Sequence, residues 1–141
     1  MLFRSSWQDL RGAPYIPKLR EAYGAERFYL ETGDPLGTNS AAPKWAWLRD
    51  NEPENWARTE WFLSEQEFLL KEWGADGYWT DLSSASREGM LDVDSMQWSR
   101  EIHDLIGVRK NQPVYQCARV GRHQHVGYAR KIGRASCRER V

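Results

Sequence analysis

Three side chains at alternate positions near the start of the chain are of types that bind ligands. They are Trp7, Asp9 and Arg11, in the run Trp7-Gln8-Asp9-Leu10-Arg11. On an extended segment, alternate residues face the same side, so a flat apolar ring, a carboxylate acceptor and a guanidinium donor would lie together. Such a set can bind a polyhydroxylated molecule. A surface ion pair between Asp9 and Arg11 explains the spacing at least as often, and both interpretations remain open here.

The elements that must position this run are predicted to be short helices. Pro17 suits the first turn of a helix and Gly24 its end, while Ser64 and Glu67 form a capping box before an apolar run. Asp81 is expected to cap the turn that follows it. Helices are also predicted after Pro43, after Glu52-Pro53 and from Ser99 to Gly107, with a loop over Thr32–Ser40 and a strand at Leu91 and Val93.

Most of the tryptophans are interpreted as core residues. Eight occur in 141 residues, and all of them precede residue 108. Those at positions compatible with helices or strands are expected to be buried, since an aromatic side chain removes about 150–250 Å² of surface from water. They are Trp45, Trp56, Trp61, Trp73 and Trp98.

Composition indicates a globular chain with an uneven charge distribution. Hydrophobic residues make up 40% and charged residues 28%, and no apolar run approaches the roughly 20 residues needed to span a bilayer. Two cysteines provide no disulfide framework, so a cytoplasmic protein is expected. Residues 1–107 contain 11 basic and 19 acidic residues, a net charge of −8, whereas residues 108–141 contain 9 basic and 1 acidic residue, a net charge of +8.

The basic C-terminal part admits several interpretations. A zinc site would use Cys117, His123, His125 and Cys137, but their spacing fits no standard zinc finger. A nucleic-acid interface would use the positive charge, but no aromatic-basic module accompanies it. Residues 132–141 match, at all ten positions, the translation of a short-read sequencing adapter. They are therefore expected to be an artefact, and residues 108–131 a degraded or frameshifted continuation of the preceding domain.

Several segments, in order, resemble the FGGY family of carbohydrate kinases. Trp7-Gln8-Asp9-Leu10-Arg11 resembles the family's Trp-x-Asp-x-Arg segment, and Thr32-Gly33-Asp34-Pro35-Leu36 resembles its Thr-Gly-x-Pro-Leu turn. Residues 42–54 resemble its Lys-x-x-Trp-Leu signature, and residues 62–69 resemble the run before its next helix. Thr80-Asp81-Leu82-Ser83-Ser84-Ala85-Ser86 resembles its Thr-Asp-x-Ser-x-Ala-Ser segment.

The resemblance implies an α/β fold for residues 1–107: part of a ribonuclease-H-like domain of the actin and hexokinase type, mostly helical in this fragment. It implies an ATP-dependent, xylulokinase-like kinase of a sugar or polyol, with Trp7, Asp9, Arg11 and Asn39 on the sugar side and Lys44 holding its loop or helix. The family's catalytic Asp and nucleotide pocket match no segment here. No catalytic residue and no metal ligand is therefore assigned.

Cofactors and partners follow from the same resemblance. ATP and Mg²⁺ are expected to serve the full-length family member and not this fragment, which is expected to be inactive alone. The full-length protein would bind a sugar or polyol, neither nucleic acid nor membrane, and could form a homodimer. The alternative from another class is a non-catalytic, tryptophan-rich carbohydrate-binding module.

Overall fold

A computed structural model describes residues 5–108 of the chain and the backbone of residues 116–117. The zinc interpretation and the expectation for residues 132–141 fall outside these residues. No helix within them is long and apolar enough to cross a membrane.

The described part of the chain is mostly helical, as the sequence predicts. A single 3-10 turn, Ala13–Tyr15, leads into the first α-helix. The α-helices are α1 (Ile16–Tyr23), α2 (Ala25–Thr32), α3 (Ala41–Asn51), α4 (Pro53–Arg58), α5 (Glu65–Glu72), α6 (Leu82–Arg87) and α7 (Arg100–Ile106).

Four two-residue strands form two small ladders among the described residues. β1 (Trp79–Thr80) pairs in parallel with β4 (Gln116–Cys117), which places residues 116–117 beside β1. β2 (Leu91–Asp92) pairs antiparallel with β3 (Gln97–Trp98). The strand predicted at Leu91 is confirmed, although it ends before Val93.

The helix boundaries follow the capping chemistry of the sequence. The Ser64 and Glu67 capping box is present at the start of α5. Asp81 accepts a hydrogen bond from the Ser84 backbone N–H at the start of α6. Gly107 ends α7 with φ +82°, a left-handed conformation that glycine adopts without steric cost.

The core lies among α1, α2, α3 and α7, and it includes Met90. Phe28, Met90, Ile102 and Ile106 are buried in it. Trp56 is buried as predicted, and Trp45 stacks on Phe62 with ring centroids 4.0 Å apart. The prediction for Trp73 is wrong, because this side chain follows the last turn of α5 and is 75% exposed.

One close backbone contact sets the position of the N-terminal segment. Gly12 lies against the first turn of α3, where an added Cβ would meet the Pro43 and Lys44 backbone at 2.8 Å. Only a glycine allows this approach. The segment before Gly12 therefore runs along the N-terminal part of α3.

Candidate functional site

The residues around Trp7 form a turn. The Asp9 backbone N–H donates to the Ser6 carbonyl over 3.0 Å, and the Gln8 N–H donates to the Ser6 hydroxyl over 3.2 Å. The extended segment assumed in the sequence analysis is therefore wrong. The turn leaves the Trp7 side chain 70% exposed.

Asp9 and Arg11 form a bidentate ion pair. Arg11 Nε donates to Asp9 Oδ1 over 2.9 Å, and Arg11 Nη2 donates to Asp9 Oδ2 over 2.7 Å. The Arg11 backbone N–H and the Ser5 hydroxyl donate to the same carboxylate, over 3.1 and 2.8 Å. These four bonds use the roughly four lone-pair positions of a carboxylate. The structure therefore brings Asp9 and Arg11 together, as the ion-pair interpretation predicts.

These bonds keep both groups ionised. The Arg11 guanidinium holds the pKa of the Asp9 carboxyl well below its usual range, although partial burial opposes the shift. The hydrogen bond to Asp9 in turn raises the pKa of Arg11. Only 11% of the Asp9 side chain is exposed, compared with 41% for Arg11, so the carboxylate is the more enclosed partner.

Two residues of helix α3, Lys44 and Trp47, contact the N-terminal segment, and so does Glu52 just after the helix. The Lys44 ammonium donates to the Ser6 carbonyl over 2.8 Å. The sequence indicates that Lys44 anchors its own loop or helix, whereas this bond joins it to a segment 38 positions away. The Arg11 guanidinium lies 4.4 Å from the centre of the Trp47 ring and 3.8 Å from Glu52. No sequence motif indicates the contact of Trp47 with Arg11, although its position three residues after Lys44 puts it on the same helix face.

Asn39 lies just before the same end of α3, in the turn that precedes Ser40, and its side chain is exposed. Internal hydrogen bonds stabilise this turn: Asp34 Oδ1 accepts hydrogen bonds from the Leu36 N–H and from the Ser40 hydroxyl, both over 2.6 Å. Leu36 is fully buried with φ +53°. Asn39 and the Trp7 turn thus both belong to the N-terminal end of α3.

An apolar ring and an amide with donors and an acceptor are of chemical types that suit a neutral polar molecule. An exposed indole, an exposed amide and a neutralised ion pair lie on two turns held to one helix. Residues 5–108 contain no group of three or more His, Cys, Asp or Glu side chains that could hold a metal ion.

The chain belongs to the FGGY family of carbohydrate kinases, whose N-terminal domain it matches over residues 4–130. Glycerol kinase 2 of Streptomyces avermitilis is 32% identical over 90% of this chain and 28% of its own length. Xylulose kinase of Lactococcus lactis is 28% identical over 72% of this chain and 20% of its length.

Solved structures show the same fold. The ligand-bound xylulose kinase of Lactobacillus acidophilus superposes with a TM-score of 0.72 at 20% identity, over 81% of this chain and 23% of that protein. The fold class expected from the sequence, a partial actin-like domain, is thereby confirmed. The chain spans roughly a fifth to a quarter of the curated relatives it matches, between 20% and 28% of their lengths.

Proposed function

We propose that this chain is part of an ATP-dependent kinase that phosphorylates a hydroxyl of a sugar or polyol, and that its N-terminal turns form one wall of the pocket for that substrate. The observation that carries the proposal is Trp7, an indole that is 70% exposed on a turn bonded to α3. Aromatic faces left open on a fixed backbone are suited to stack on the C–H face of a sugar.

The reaction requires little covalent chemistry from the wall. The substrate hydroxyl oxygen attacks the γ-phosphorus, the bond between that phosphorus and the β,γ-bridging oxygen breaks, and ADP leaves. The hydroxyl proton passes to a carboxylate base. In this proposal the base and the nucleotide pocket belong to other parts of a longer kinase, and the isolated chain is inactive. The wall contributes by orienting the hydroxyl.

Each proposed site residue has its own part. Trp7 stacks on the substrate, and the Asn39 amide, with its donors and acceptor, binds hydroxyls. Asp9 can accept from a substrate hydroxyl only where that hydroxyl replaces the Ser5 hydroxyl, because its other acceptor positions are occupied by Arg11. Arg11 keeps this carboxylate ionised.

For the substrate we propose a xylulose-like sugar first and glycerol second. The first choice follows the resemblance of the signature segments and is supported by the xylulose kinase of Lactococcus lactis among the relatives. The second is supported by the glycerol kinases of Paenarthrobacter aurescens and Nocardia farcinica, each 34% identical over 72% of this chain.

A chimeric kinase tests this proposal. Residues 5–108 replace the corresponding segment of the Lactococcus lactis xylulose kinase, and ADP release is measured with D-xylulose, glycerol and no acceptor. We expect acceptor-dependent ADP release that is greatest with D-xylulose. A chimera as thermally stable as its parent that releases no ADP above the acceptor-free rate with either acceptor would contradict the kinase proposal, and a preference for glycerol would support the second substrate.

A further inference from the structure

We propose that Lys44 is a positioning residue that sets the orientation of Trp7 through the Ser6 carbonyl. The proposal concerns the same site and rests on the proposed function only for its consequence in substrate binding. Its structural part, that Lys44 holds the turn in place, stands on the contacts alone.

The Ser6 carbonyl joins the turn to the helix. It accepts the Asp9 backbone N–H over 3.0 Å and the Lys44 ammonium over 2.8 Å. A backbone carbonyl has two lone pairs, and both are used here. Because the peptide bond is planar, the Ser6 C=O, the Trp7 N–H and the Trp7 Cα lie in one plane. Fixing that carbonyl from two directions therefore fixes the plane from which the Trp7 side chain starts.

The hydrogen bonds among Ser5, Ser6, Gln8 and Asp9 are local. They join residues no more than four positions apart. The bond from Lys44 joins residues 38 positions apart. Arg11 and Gly12 hold the far end of the segment on α3, whereas Lys44 holds the end that carries Trp7.

The position of Lys44 is unfavourable for the helix itself. It is the fourth residue of α3, whose first turn has no acidic residue. The positive end of the helix dipole lies there, which disfavours a cation. Burial lowers the pKa of Lys44, while the charges of Asp9 and Glu88 raise it. A residue placed against the preference of its helix indicates a role outside the helix, and the Ser6 carbonyl provides one.

The first experiment measures hydrogen exchange in the full 141-residue chain. Lys44→Met keeps the length and apolar stem and removes the donor. Lys71→Met is the matched control, because Lys71 also donates its ammonium to a backbone carbonyl, that of Ala75, over 3.2 Å. We expect exchange of the Asp9 amide to rise roughly tenfold in Lys44→Met, as the loss of a bond worth about 1.4 kcal/mol gives. Lys71→Met should leave this amide unchanged.

Two further variants keep the test decisive. Lys44→Arg retains a cationic donor and should show slow exchange like the parent. Lys44→Gln has a polar end but a shorter stem, and it replaces Lys44→Met in the test if Lys44→Met fails to fold. Its Asp9 amide should exchange faster than that of the parent. Exchange at Asp9 that equals the parent rate in a folded Lys44→Met or Lys44→Gln protein would overturn the proposal.

The consequence for the substrate is measured in the chimeric kinase. Lys44→Met should raise the sugar KM several-fold and leave the ATP KM unchanged, with Lys44→Arg close to the parent. If Trp7→Ala does not change the sugar KM while the exchange result holds, the pocket assignment fails and the positioning role stands. If Trp7→Ala raises the sugar KM but neither Lys44→Met nor Lys44→Gln changes KM or exchange, the positioning role fails alone.

Discussion

At the scale of single residues, the ion pair of Asp9 and Arg11 is one of the contacts that hold the N-terminal turn. The two residues lie two positions apart and form two charge-assisted bonds, so the pair is local and partly exposed to solvent. Solvent screening limits the energy of such a pair. Its effect is therefore expected on the turn and only modestly on the whole domain.

We predict that Asp9→Asn lowers the free energy of unfolding by about 1 kcal/mol, since the bonds to a charged acceptor are replaced by weaker ones. Because the folded-state pKa of Asp9 is depressed, this stability is present above the unfolded pKa near 4 and is lost as the pH falls below it. Urea unfolding at pH 7 and at pH 3 measures both effects. Asp94→Asn, at an exposed position, is the control. Equal stability of Asp9→Asn and the parent at pH 7 would remove the ion pair from the account of the turn.

His103 provides a second prediction at this scale. Burial, with the nearby Arg100 charge, lowers its pKa to about 4, and its Nε2 is buried without a hydrogen-bond partner. The unfolded chain, with a histidine pKa of about 6.5, binds the proton more tightly. The contribution of neutral His103 to the free energy of unfolding should thus be fully present above about pH 6.5. It should fall by about 3 kcal/mol as the pH is lowered to about 4.

His103→Phe tests this because it keeps a ring beside Trp98, against which His103 stacks at 6.0 Å. The difference in unfolding free energy between the variant and the parent should change with pH between 6.5 and 4. His123 and His125 are present in both proteins, so they cancel in the comparison. A difference that is constant over this range would show that His103 titrates normally in the folded chain.

At the scale of elements, Asp81 links the start of α6 to α5. Its Oδ1 accepts the Ser84 N–H over 2.9 Å, and its Oδ2 accepts the Gln66 amide over 3.1 Å. The backbone N–H of Ser84 lowers the pKa of Asp81 to about 2, with help from the Gln66 and Ser84 side chains. The carboxylate is therefore a helix cap rather than a proton donor or acceptor at neutral pH.

We predict that Asp81→Ala lowers the free energy of unfolding by about 1 kcal/mol, the usual cost of an N-cap lost to alanine. Asp81→Asn should recover most of the difference, because the asparagine oxygen also caps well. Thermal unfolding of the three proteins measures the order. An Asp81→Asn protein as unstable as Asp81→Ala would assign the loss to charge and not to capping.

The elements also show how far the sequence predicts this fold. The capping box of Ser64 and Glu67 and the caps at Asp81 and Ser99 are local chemistry, so their positions can be predicted from neighbouring residues. Helix α2 (Ala25–Thr32) was not predicted, because its start lacks a side-chain cap and follows directly on Gly24. The parallel pairing of Trp79 with Gln116 joins distant segments, and nothing local in either segment specifies it.

The candidate site shows the same division. The spacing of Asp9 and Arg11 leaves open whether they pair with each other or face a ligand, and the structure pairs them. Lys44 is predicted to anchor its own loop or helix, whereas its ammonium bonds to the Ser6 carbonyl. The sequence does not predict that residues 6–9 turn, because that turn depends on the Ser6 carbonyl and on the close approach of Gly12 to α3. The sequence thus identifies the residues that contribute to the site, whereas the directions of their side chains depend on contacts between segments.

At the scale of the whole molecule, an exposed apolar face on α5 is expected to control association. Phe68 and Leu69 are each 43% exposed and Trp73 is 75% exposed. Apolar side chains grouped at the surface favour contact with other molecules. We predict that the isolated chain self-associates through this face, and that the double variant Leu69→Ser, Trp73→Ser is largely monomeric with little change in melting temperature.

Light scattering during size-exclusion chromatography measures this association. Leu30→Ser is the control, since Leu30 is 66% exposed on a different helix, α2. It should leave the mass distribution unchanged. A monomeric parent chain, or an equal reduction of association by Leu30→Ser, would contradict a specific role for the α5 face.

We propose that the exposed Trp7 ring binds the substrate in a sugar or polyol kinase. The measurement that tests this proposal is the KM for the sugar and the KM for ATP of the chimeric kinase with Trp7→Ala. The control is Trp73→Ala, which removes a similarly exposed indole just after α5. We predict that Trp7→Ala raises the sugar KM about tenfold, as the loss of about 1.4 kcal/mol of stacking and contact energy gives, with the ATP KM unchanged and Trp73→Ala like the parent. A sugar KM that stays within twofold of the parent in a folded Trp7→Ala kinase would contradict the claim.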